Sequence, residues 1–333
     1  MKKRITYKDS GVDIGKANAF IAQIRKDMTR TFSPSVLSSS GAFGSLFSLD
    51  IRKYKNPVLV SSSDGVGTKL LVAKALGRHD TVGIDLVAMN VNDILCCGAQ
   101  PLFFLDYLAC GRLNPVILKN VVKGIARGCQ QSGCSLIGGE TAELPGMYKG
   151  DDYDLAGFAV GVVEKSKIIT GKGIREGDVV LGLPSSGLHS NGFSLARKVL
   201  TLKEQKEFSR ELLAPTKIYA KEIKSVLGKF KVKGVAHITG GAFYDKLTKI
   251  LPRNRCFSID KKSWPVPKIF QIIQKKGRIS DREMYRTFNM GIGLAMVFAP
   301  RDLARVSTFL KKKKMPFYVI GTVIDHPQKK VIL

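Results

Sequence analysis

PVLVSSSDGVGTKLLVAKAL, residues 57–76, contains a short apolar strand, a glycine-rich turn and an amphipathic helix. The apolar run over 57–62 predicts a buried strand. Helical spacing of apolar residues then extends from Thr68 to Leu76, and Gly77 marks the end of that helix. A strand that passes through a tight turn into a helix is the basic unit of an α/β fold.

The turn itself carries an acidic residue between the strand and the helix. Asp64 is followed by Gly65 and Gly67, and such a turn presents backbone N–H groups and a helix N-terminus to phosphate oxygens. Lys69, one turn into the helix, could add a positive charge to the same phosphates. The G-x-x-x-x-G-K-[ST] phosphate loop is absent, so a simple tight turn is an alternative interpretation.

Strands and helices alternate on both sides of this stretch. Strands are predicted over 101–108, 135–137, 154–163, 179–183, 234–238, 293–298 and 316–324, and helices over 82–97, 115–131, 193–200, 217–227 and 301–312. The polar, glycine-punctuated segment 164–178 separates two apolar strands and predicts a domain boundary near residue 168. We therefore expect an α/β protein of the α+β type, with domains 1–168 and 169–333 whose mixed sheets are flanked by helices, and with no P-loop or Rossmann motif.

The composition sets limits on partners and compartment. The chain has 333 residues, is 44% hydrophobic and carries 54 Lys and Arg against 27 Asp and Glu, a formal charge of +27. This excess attracts polyanions, which include nucleic acids and phosphorylated metabolites. The lysine pairs and runs lack interleaved aromatic residues, so no specific nucleic-acid binding is expected. Unpaired cysteines and the lack of an apolar run of ~18 residues predict a cytoplasmic protein with reduced thiols and no membrane segment.

The predicted helix over 82–97 is apolar on nearly all sides and nevertheless contains Asp85, Asn92 and Asp93. On a helical projection these three residues bring oxygen ligands to one side. Carboxylates in so apolar a helix require a cation or a network of donors. Capping of neighbouring turns by the two aspartates is the alternative.

A third acidic residue follows the predicted strand over 135–137. Gly138 and Gly139 precede Glu140, an arrangement that brings backbone close to a ligand with an oxygen donor aimed at it. Hard oxygen ligands of this kind suit magnesium that bridges nucleotide phosphates better than they suit zinc.

Two turns of the second half carry hydrogen-bonding groups. Residues 184–197 place hydroxyl, amide and imidazole groups between a strand and a helix, with His189 in the middle, and offer donors to a phosphate or a sugar. A structural role for this lone histidine is an equal alternative. Thr239, Gly240 and Gly241 form a second candidate phosphate turn, although a plain strand-to-helix connection fits as well.

Seven motifs, in order along nearly the whole chain, resemble the phosphoribosylformylglycinamidine cyclo-ligase family. They are Tyr7–Asp13, Asp64–Lys69, Asn92-Asp93, Phe104–Tyr107, Gly138–Tyr148, Ser185–Gly192 and Glu283–Gly291. The resemblance implies that formylglycinamidine ribonucleotide and ATP are converted to aminoimidazole ribonucleotide, ADP and phosphate, the fifth step of purine synthesis. It also implies a homodimer in which the sheets of two amino-terminal domains meet to form a barrel.

The resemblance further implies the roles of individual residues. Magnesium would be held by Asp64, Asp93 and Glu140, and we expect Lys69, Asp93 and His189 to take part in catalysis. The residues expected to bind ATP are Asp9, Gly11, Asp13, Asp64, Gly65, Gly67, Thr68, Lys69, Gly138, Gly139 and Glu140. Those expected to bind the ribonucleotide are Ser186, Gly187, His189, Ser190, Asn191, Gly240 and Gly241.

Two other classes of protein compete with this interpretation. One is a sister enzyme of the same superfamily, such as the amidotransferase that makes the substrate, a selenophosphate synthetase or a thiamine-phosphate kinase. The amidotransferase is much longer, and the first twenty residues here lack the reactive cysteine usual in a selenophosphate synthetase. The other is a basic nucleic-acid-binding protein without catalytic activity, which a salt-dependent gel shift run beside an ATP-hydrolysis assay would reveal.

Overall fold

Two sheets organise the chain in the computed structural model, which describes residues 4–37 and 43–333. The amino-terminal half contains α1 (Ile14–Thr29), β1 (Val36–Leu37), β2 (Leu46–Phe47), β3 (Pro57–Gly65), α2 (Lys69–Leu76), α3 (Val82–Cys96), β4 (Gln100–Cys110), α4 (Pro115–Ser132), β5 (Ser135–Glu143) and β6 (Tyr153–Glu164). Its four-stranded sheet has the order β3-β6-β4-β5, while β1 and β2 form a separate pair. Only β4 and β5 run parallel within the larger sheet.

The carboxy-terminal half is built on a six-stranded sheet of order β12-β9-β11-β7-β10-β8. Its elements are β7 (Val179–Pro184), α5 (Phe193–Val199), α6 (Leu202–Glu207), α7 (Ser209–Leu212), α8 (Ala220–Leu227), β8 (Gly234–His237), α9 (Thr248–Ile250), β9 (Arg255–Ile259), α10 (Lys268–Gly277), α11 (Asp281–Thr287), β10 (Ile292–Phe298), α12 (Leu303–Lys312), β11 (Tyr318–Asp325) and β12 (Lys330–Ile332). All neighbours are antiparallel except β12 and β9. The predicted α/β class, with mixed sheets flanked by helices, is confirmed.

Helices cover one face of the four-stranded sheet. On β4, Phe104 and Leu108 are fully buried beneath α3 and α4. The other face, which we call the outer face, carries apolar side chains in the open, because Leu59, Tyr107 and Phe158 are 62%, 37% and 44% exposed. A strand alternates its side chains between two faces, so a sheet covered on one face leaves the other available to a partner.

Strand β5 corrects one prediction from the sequence. The glycines at 138 and 139 were expected to end the strand at residue 137, yet β5 continues to Glu143. Gly139 pairs in parallel with Asp106 on β4, and a Cβ at Gly139 would come within 2.3 Å of the Asp106 carboxylate. The glycine therefore makes room for a neighbouring side chain, and it does not mark a turn.

Helix α1 has no counterpart among the predicted elements. Asp13 is its N-cap, and the Asp13 carboxylate accepts a hydrogen bond from the Lys16 N–H at 3.0 Å. Phe20 and Ile24 bury its apolar face. The helix packs against α4 and β5, which fixes the amino-terminal segment at the β5 edge of the sheet.

Candidate active site in the interdomain cleft

Lys69 and Asp85 form a buried ion pair in the first domain, and both also bond to the second domain. The Lys69 ammonium lies 2.8 Å from Asp85, and both side chains are completely buried. Lys69 also donates to the carbonyl oxygens of His189 at 3.0 Å and Ala214 at 2.7 Å. Burial lowers the pKa of Lys69, and the facing carboxylate opposes that effect. With its donors directed to these groups, Lys69 is placed to hold the cleft together, in contrast to the phosphate contact that the sequence suggested.

Asp85, on α3, completes this contact between the domains. Its carboxylate accepts hydrogen bonds from the backbone N–H and the hydroxyl of Thr216, at 2.7 and 2.6 Å. An ion pair without water is stable only when such additional donors satisfy it. Asp85 therefore belongs to the contact between the domains, and Asp93 is the aspartate of α3 that reaches the cleft.

Asp93 and His237 meet across the cleft. Oδ1 of Asp93 lies 2.9 Å from Nδ1 of His237, the last residue of β8, and the Asp93 side chain is 46% exposed while the histidine is buried. Asn92 stands on the other side of the imidazole, with its amide nitrogen 3.3 Å from Nε2. The imidazole thus lies between a carboxylate and an amide, with Nδ1 toward Asp93 and Nε2 toward Asn92. The arrangement leaves one Asp93 oxygen directed to solvent and ligand.

The orientation of Asn92 is set by backbone groups of the second domain. Its Oδ1 accepts from the Tyr219 N–H at 3.1 Å, and its amide donates to the Lys217 carbonyl at 2.9 Å. These two bonds assign the oxygen and nitrogen of the amide without ambiguity. The start of α8 is thereby tied to the same residue that faces His237.

Asp64 lies close enough to Asp93 for the two charges to interact. The pKa of Asp64 is raised, first by burial and then by the negative charge of Asp93, while His237 and Lys246 act in the opposite direction. Its carboxylate accepts a hydrogen bond from the Gly65 N–H at 2.7 Å. Thr68, at the start of the next helix, contacts Ser194 of the second domain at 3.0 Å. Asp64 and Asp93 are therefore two carboxylates whose charges act on each other beside a glycine turn.

His189 is buried and adopts a left-handed backbone conformation with φ of 61°. Its Nε2 accepts from the backbone N–H groups of Ser186 at 3.2 Å and Lys217 at 3.5 Å. Burial, followed by the nearby positive groups His237, Lys69 and Lys217, holds the pKa of His189 well below its usual value. The neutral ring therefore carries its proton on Nδ1, and among the described residues this buried N–H has no hydrogen-bond partner.

The two predicted substrate turns lie side by side. A Cβ at Gly240 would approach the Asn191 Oδ1 to 3.4 Å, and the buried amide nitrogen of Asn191 also lacks a partner within the described chain. Gly241 and Ala242 both have positive φ, at 80° and 39°. Backbone strain of this kind collects at ligand sites. Two unpartnered donors, on His189 and Asn191, thus belong to the loops expected to bind the ribonucleotide.

The other predicted substrate residues of the first turn serve mainly to shape it. The Ser186 hydroxyl donates to the Pro215 carbonyl at 2.5 Å, and the Ser190 hydroxyl lies 3.1 Å from that of Thr216. The Gly187 carbonyl accepts from the Asn289 amide at 2.9 Å. These contacts fix the loop against the 215–216 segment and Asn289 of the same domain.

Glu140 lies apart from the two aspartates. On β5 it pairs with Tyr107 of β4. The residues one position earlier, Gly139 and Asp106, pair across the sheet with Gly157 and, through it, with Asp64. Directly paired residues share a face of a sheet and successive residues alternate, so Glu140 is on the outer face and Asp64 on the helix-covered face. Within the described residues no group of three or more His, Cys, Asp or Glu is placed to hold a metal. The predicted three-carboxylate site is therefore not assembled within one chain.

The amino-terminal segment docks at the same far edge as Glu140. The Asp13 N–H donates to Glu143 at 3.1 Å, and Glu143 accepts a second bond from the Leu113 N–H at 2.7 Å. Gly11, with φ of 99°, packs against Pro145. The predicted ATP-binding residues accordingly form two groups. Gly65, Gly67 and Thr68 stand with Asp64 at β3, whereas Asp9, Gly11, Asp13, Gly138 and Gly139 stand at β5, the opposite edge of the sheet.

Two features were missed from the sequence, the partner of His237 at the site and the burial of Asp106 in the sheet beside it. His237 has an acidic partner that lies 144 positions away in the chain, and no local pattern announces such a pairing. Asp106 stands in a motif shared with the family, and burial raises its pKa to about 7. A buried aspartate in an apolar strand leaves no periodic signal, because in the sequence it resembles a turn residue.

Family models match both halves of the chain. The AIR synthase related protein N-terminal domain matches residues 49–163, and the corresponding C-terminal domain matches residues 175–333. Among curated relatives, the phosphoribosylformylglycinamidine cyclo-ligase of Neisseria meningitidis serogroup C is 51% identical over 332 residues, which cover 97% of this chain and 96% of the relative. The protein of the same description from Thermodesulfovibrio yellowstonii is 51% identical and covers 99% of both chains.

Solved structures with the same fold come from more distant proteins. Thiamine-monophosphate kinase from Stenotrophomonas maltophilia superposes with a TM-score of 0.67 at 18% identity and covers 94% of this chain and 95% of its own. The hydrogenase maturation protein HypE in complex with ATP gives a TM-score of 0.68 at 16% identity, with 95% and 89% covered. At these identities the likeness concerns the fold alone.

Proposed function

The chain belongs to the AIR synthase related family, with the phosphoribosylformylglycinamidine cyclo-ligases as its close relatives, and on that premise we propose how its cleft performs ring closure. Members of this group are ATP-dependent ligases of purine biosynthesis that form aminoimidazole ribonucleotide. The function assigned to this chain is the same: formylglycinamidine ribonucleotide and ATP give aminoimidazole ribonucleotide, ADP and phosphate. Phosphorylation of the formyl oxygen creates a leaving group, which the attacking amidine nitrogen displaces as the ring closes.

The contact between Asp93 and His237 carries the proposal. It sets a half-exposed carboxylate of the first domain against a buried imidazole of the second. His237 fixes one oxygen of Asp93 and Asn92 fixes the imidazole, so the other carboxylate oxygen keeps a constant position. Positioning of reactants and neutralisation of phosphate charge account for most of the catalysis in phosphoryl transfer.

Asp64 and Asp93 are the residues that would hold a magnesium ion. Burial raises the pKa of Asp64, and the Asp93 charge adds to that effect, so a bound cation would stabilise both carboxylates, whose oxygens suit this hard metal. When bound, the ion supplies neutralisation of nucleotide phosphate charge. The turn at Gly67 and Thr68 then provides backbone N–H groups for the phosphates.

The loops around His189 and Asn191 are assigned to the ribonucleotide. Both side chains present a buried N–H without a partner in the described chain, and a buried donor left unpaired costs about 1–3 kcal/mol. A phosphate or sugar oxygen would satisfy each of them. The neutral state of His189 makes its Nδ1 a donor at physiological pH. The ribonucleotide thus faces the second domain, and the triphosphate faces the first.

We assign a homodimer that buries the outer face. Exposed Leu59, Tyr107 and Phe158 form an apolar surface on β3, β4 and β6, and such surfaces mark interaction sites. Glu140 shares that face, so its ATP-binding or metal-binding role requires the partner subunit. In this arrangement the outer faces of two sheets enclose a common barrel core.

The enzyme is assigned to the cytoplasm, where free thiols persist. All six cysteines, which lie within the described ranges, are free. No helix among the described residues is long and apolar enough to cross a membrane. The biosynthetic reaction also draws on ATP, which this compartment supplies.

Product analysis tests the proposed function directly. Purified protein, ATP, magnesium and formylglycinamidine ribonucleotide are incubated, and the products are identified by mass spectrometry. Aminoimidazole ribonucleotide formed in step with ADP is the expected result. ADP formed with thiamine phosphate, and none with the ribonucleotide, would assign the chain to the kinase branch of the same fold.

A further inference from the structure

A cavity of about 960 Å³ lies between the two domains, beyond the C-terminal end of α3. Its walls come from residues 95–101, the end of α4, residues 166–169, and α8 with the following 228–232 segment. Asp64, Asp93, His189, Asn191 and His237 are not among the described residues that line it. Small-molecule sites commonly measure about 300–1,000 Å³ and occur between domains, so this cavity has the size and place of a second ligand site.

The inner wall of the cavity is apolar. Ile223 and Leu227 lie on one face of α8, and Phe230 and Val232 follow that helix. Ile169 faces them from the segment that links the two sheets. Apolar walls of this kind stabilise an uncharged ring or hydrocarbon chain by removing it from water.

The rim of the same cavity is positively charged. Five lysines line it: Lys167, Lys221, Lys224, Lys229 and Lys231. No aspartate or glutamate is among the described residues that line it, and none of the five lysines forms an ion pair within the described chain. Lysines in the last turn of a helix complement its dipole, which accounts for Lys224 on α8 but not for Lys167 or Lys231. Five like charges around one opening repel each other until an anion binds.

A second groove extends the positive potential around the entrance. It shares Lys167 with the cavity and adds Lys55 and Lys165, while its Arg52 and Lys53 are paired with Asp50. The one carboxylate in that groove, Glu164, accepts hydrogen bonds from backbone N–H groups, including that of Lys55 at 2.8 Å. The surrounding field would therefore draw an anion toward the cavity.

We propose that this cavity binds a small phosphorylated organic molecule, with its phosphate at the lysine rim and its uncharged ring or chain against Ile223, Leu227 and Phe230. Lysine ammonium groups are effective point charges for phosphate. The apolar inner wall favours a small ligand over RNA, because an RNA backbone would need charge along its track but no apolar pocket. The site is independent of the catalytic cleft and of the reaction proposed for it.

Pyridoxal 5′-phosphate is a suitable probe, because it combines a phosphate with a flat ring and an aldehyde. The aldehyde condenses with a lysine amine with loss of water, and borohydride reduces the imine to a stable secondary amine that mass spectrometry locates. Labelling is carried out with a non-hydrolysable ATP analogue and aminoimidazole ribonucleotide in the cleft. The expected result is labelling concentrated on the five rim lysines and suppressed by a nonreactive aromatic phosphate, 4-nitrophenyl phosphate.

Charge variants separate this site from general attraction. The double variant Lys221→Gln with Lys224→Gln should reduce labelling of the other three rim lysines about fivefold or more. The matched control, Lys311→Gln with Lys312→Gln on the exposed end of α12, should leave it unchanged. Labelling spread over exposed lysines in general, an equal effect of the control, or protection by single-stranded RNA but not by 4-nitrophenyl phosphate would each overturn the proposal.

Discussion

At the scale of single residues, Asp93 is expected to be the most sensitive acidic side chain. Asp93→Asn should lower turnover at least about tenfold, because it removes a charged oxygen that would hold magnesium where phosphoryl charge develops. The side chain is half exposed, so the variant should fold with an unchanged melting temperature. Turnover and its magnesium dependence provide the measurement. Glu176→Gln, which removes one exposed charge from a loop residue that contacts none of the site residues named above, serves as the control. Wild-type turnover in Asp93→Asn would refute the assignment.

Asn191 tests which ligand the second domain binds. Asn191→Ala removes a buried N–H that has no protein partner, so the free energy of unfolding should not fall. The Michaelis constant for the ribonucleotide should rise about fivefold, the value of one hydrogen bond. The constant for ATP should stay unchanged. Both constants and the melting temperature are measured on the same preparation. A selective loss of ATP affinity would place the two ligands the other way round.

Asp106 should make stability depend on pH. Burial raises its pKa from 3.8 to about 7, so the folded state holds this proton more tightly than the unfolded chain does. The stabilisation is complete below about pH 4 and is lost as the pH rises through 7, a loss of a few kcal/mol. Asp106→Asn, which cannot titrate, should lack this component. Urea unfolding of both proteins at pH 5 and pH 8 measures it, and parallel pH profiles would contradict the assignment.

At the scale of elements, strand β10 supports both His189 and Tyr219. A Cβ at Gly293 would lie 2.1 Å from the Tyr219 hydroxyl and 2.4 Å from Cε1 of His189. Gly293→Ala should therefore destabilise the fold by about 1–3 kcal/mol and also lower activity, because it displaces the histidine loop. Gly173→Ala, where a Cβ meets nothing within 4 Å, is the control. Melting temperature and ribonucleotide affinity distinguish the two, and equal behaviour of the variants would be inconsistent with this packing.

The elements also show what a sequence can predict. The helices over 69–76 and 82–96 follow the expected apolar spacing closely, since periodicity and the cap glycine are local properties. The face occupied by Glu140 depends on the register between β4 and β5, which no local pattern encodes. The sequence predicts a phosphate contact for Lys69, because the glycine turn beside it is a local pattern. Its actual partners, the carbonyls of His189 and Ala214, lie far along the chain and leave no local signal. The family resemblance, in contrast, is confirmed by the family models and the curated relatives. It could be predicted because whole motifs along the chain carry it.

At the scale of the whole molecule, a shared active site can be tested by mixing subunits. Asp93→Asn and Glu140→Gln should each be nearly inactive as homodimers. If Glu140 serves the partner's cleft, a mixed dimer contains one intact site. Random exchange of equal amounts should then restore about one quarter of wild-type activity, given two-fold symmetry. The assay follows activity after subunit exchange, with size-exclusion chromatography to verify dimers. No recovery among verified mixed dimers would place Glu140 outside a shared site.

The buried ion pair between Lys69 and Asp85 has a consequence for synthesis of the chain. Thr216, which donates twice to Asp85, is made 131 residues later. A nascent first domain therefore keeps this ion pair hydrated while the ribosome completes the second, at about 5–20 residues per second. Water leaves the pair only when the His189 and Ala214 carbonyls arrive. The first domain is thus translated early but reaches its final structure late, because that structure depends on residues of the second domain.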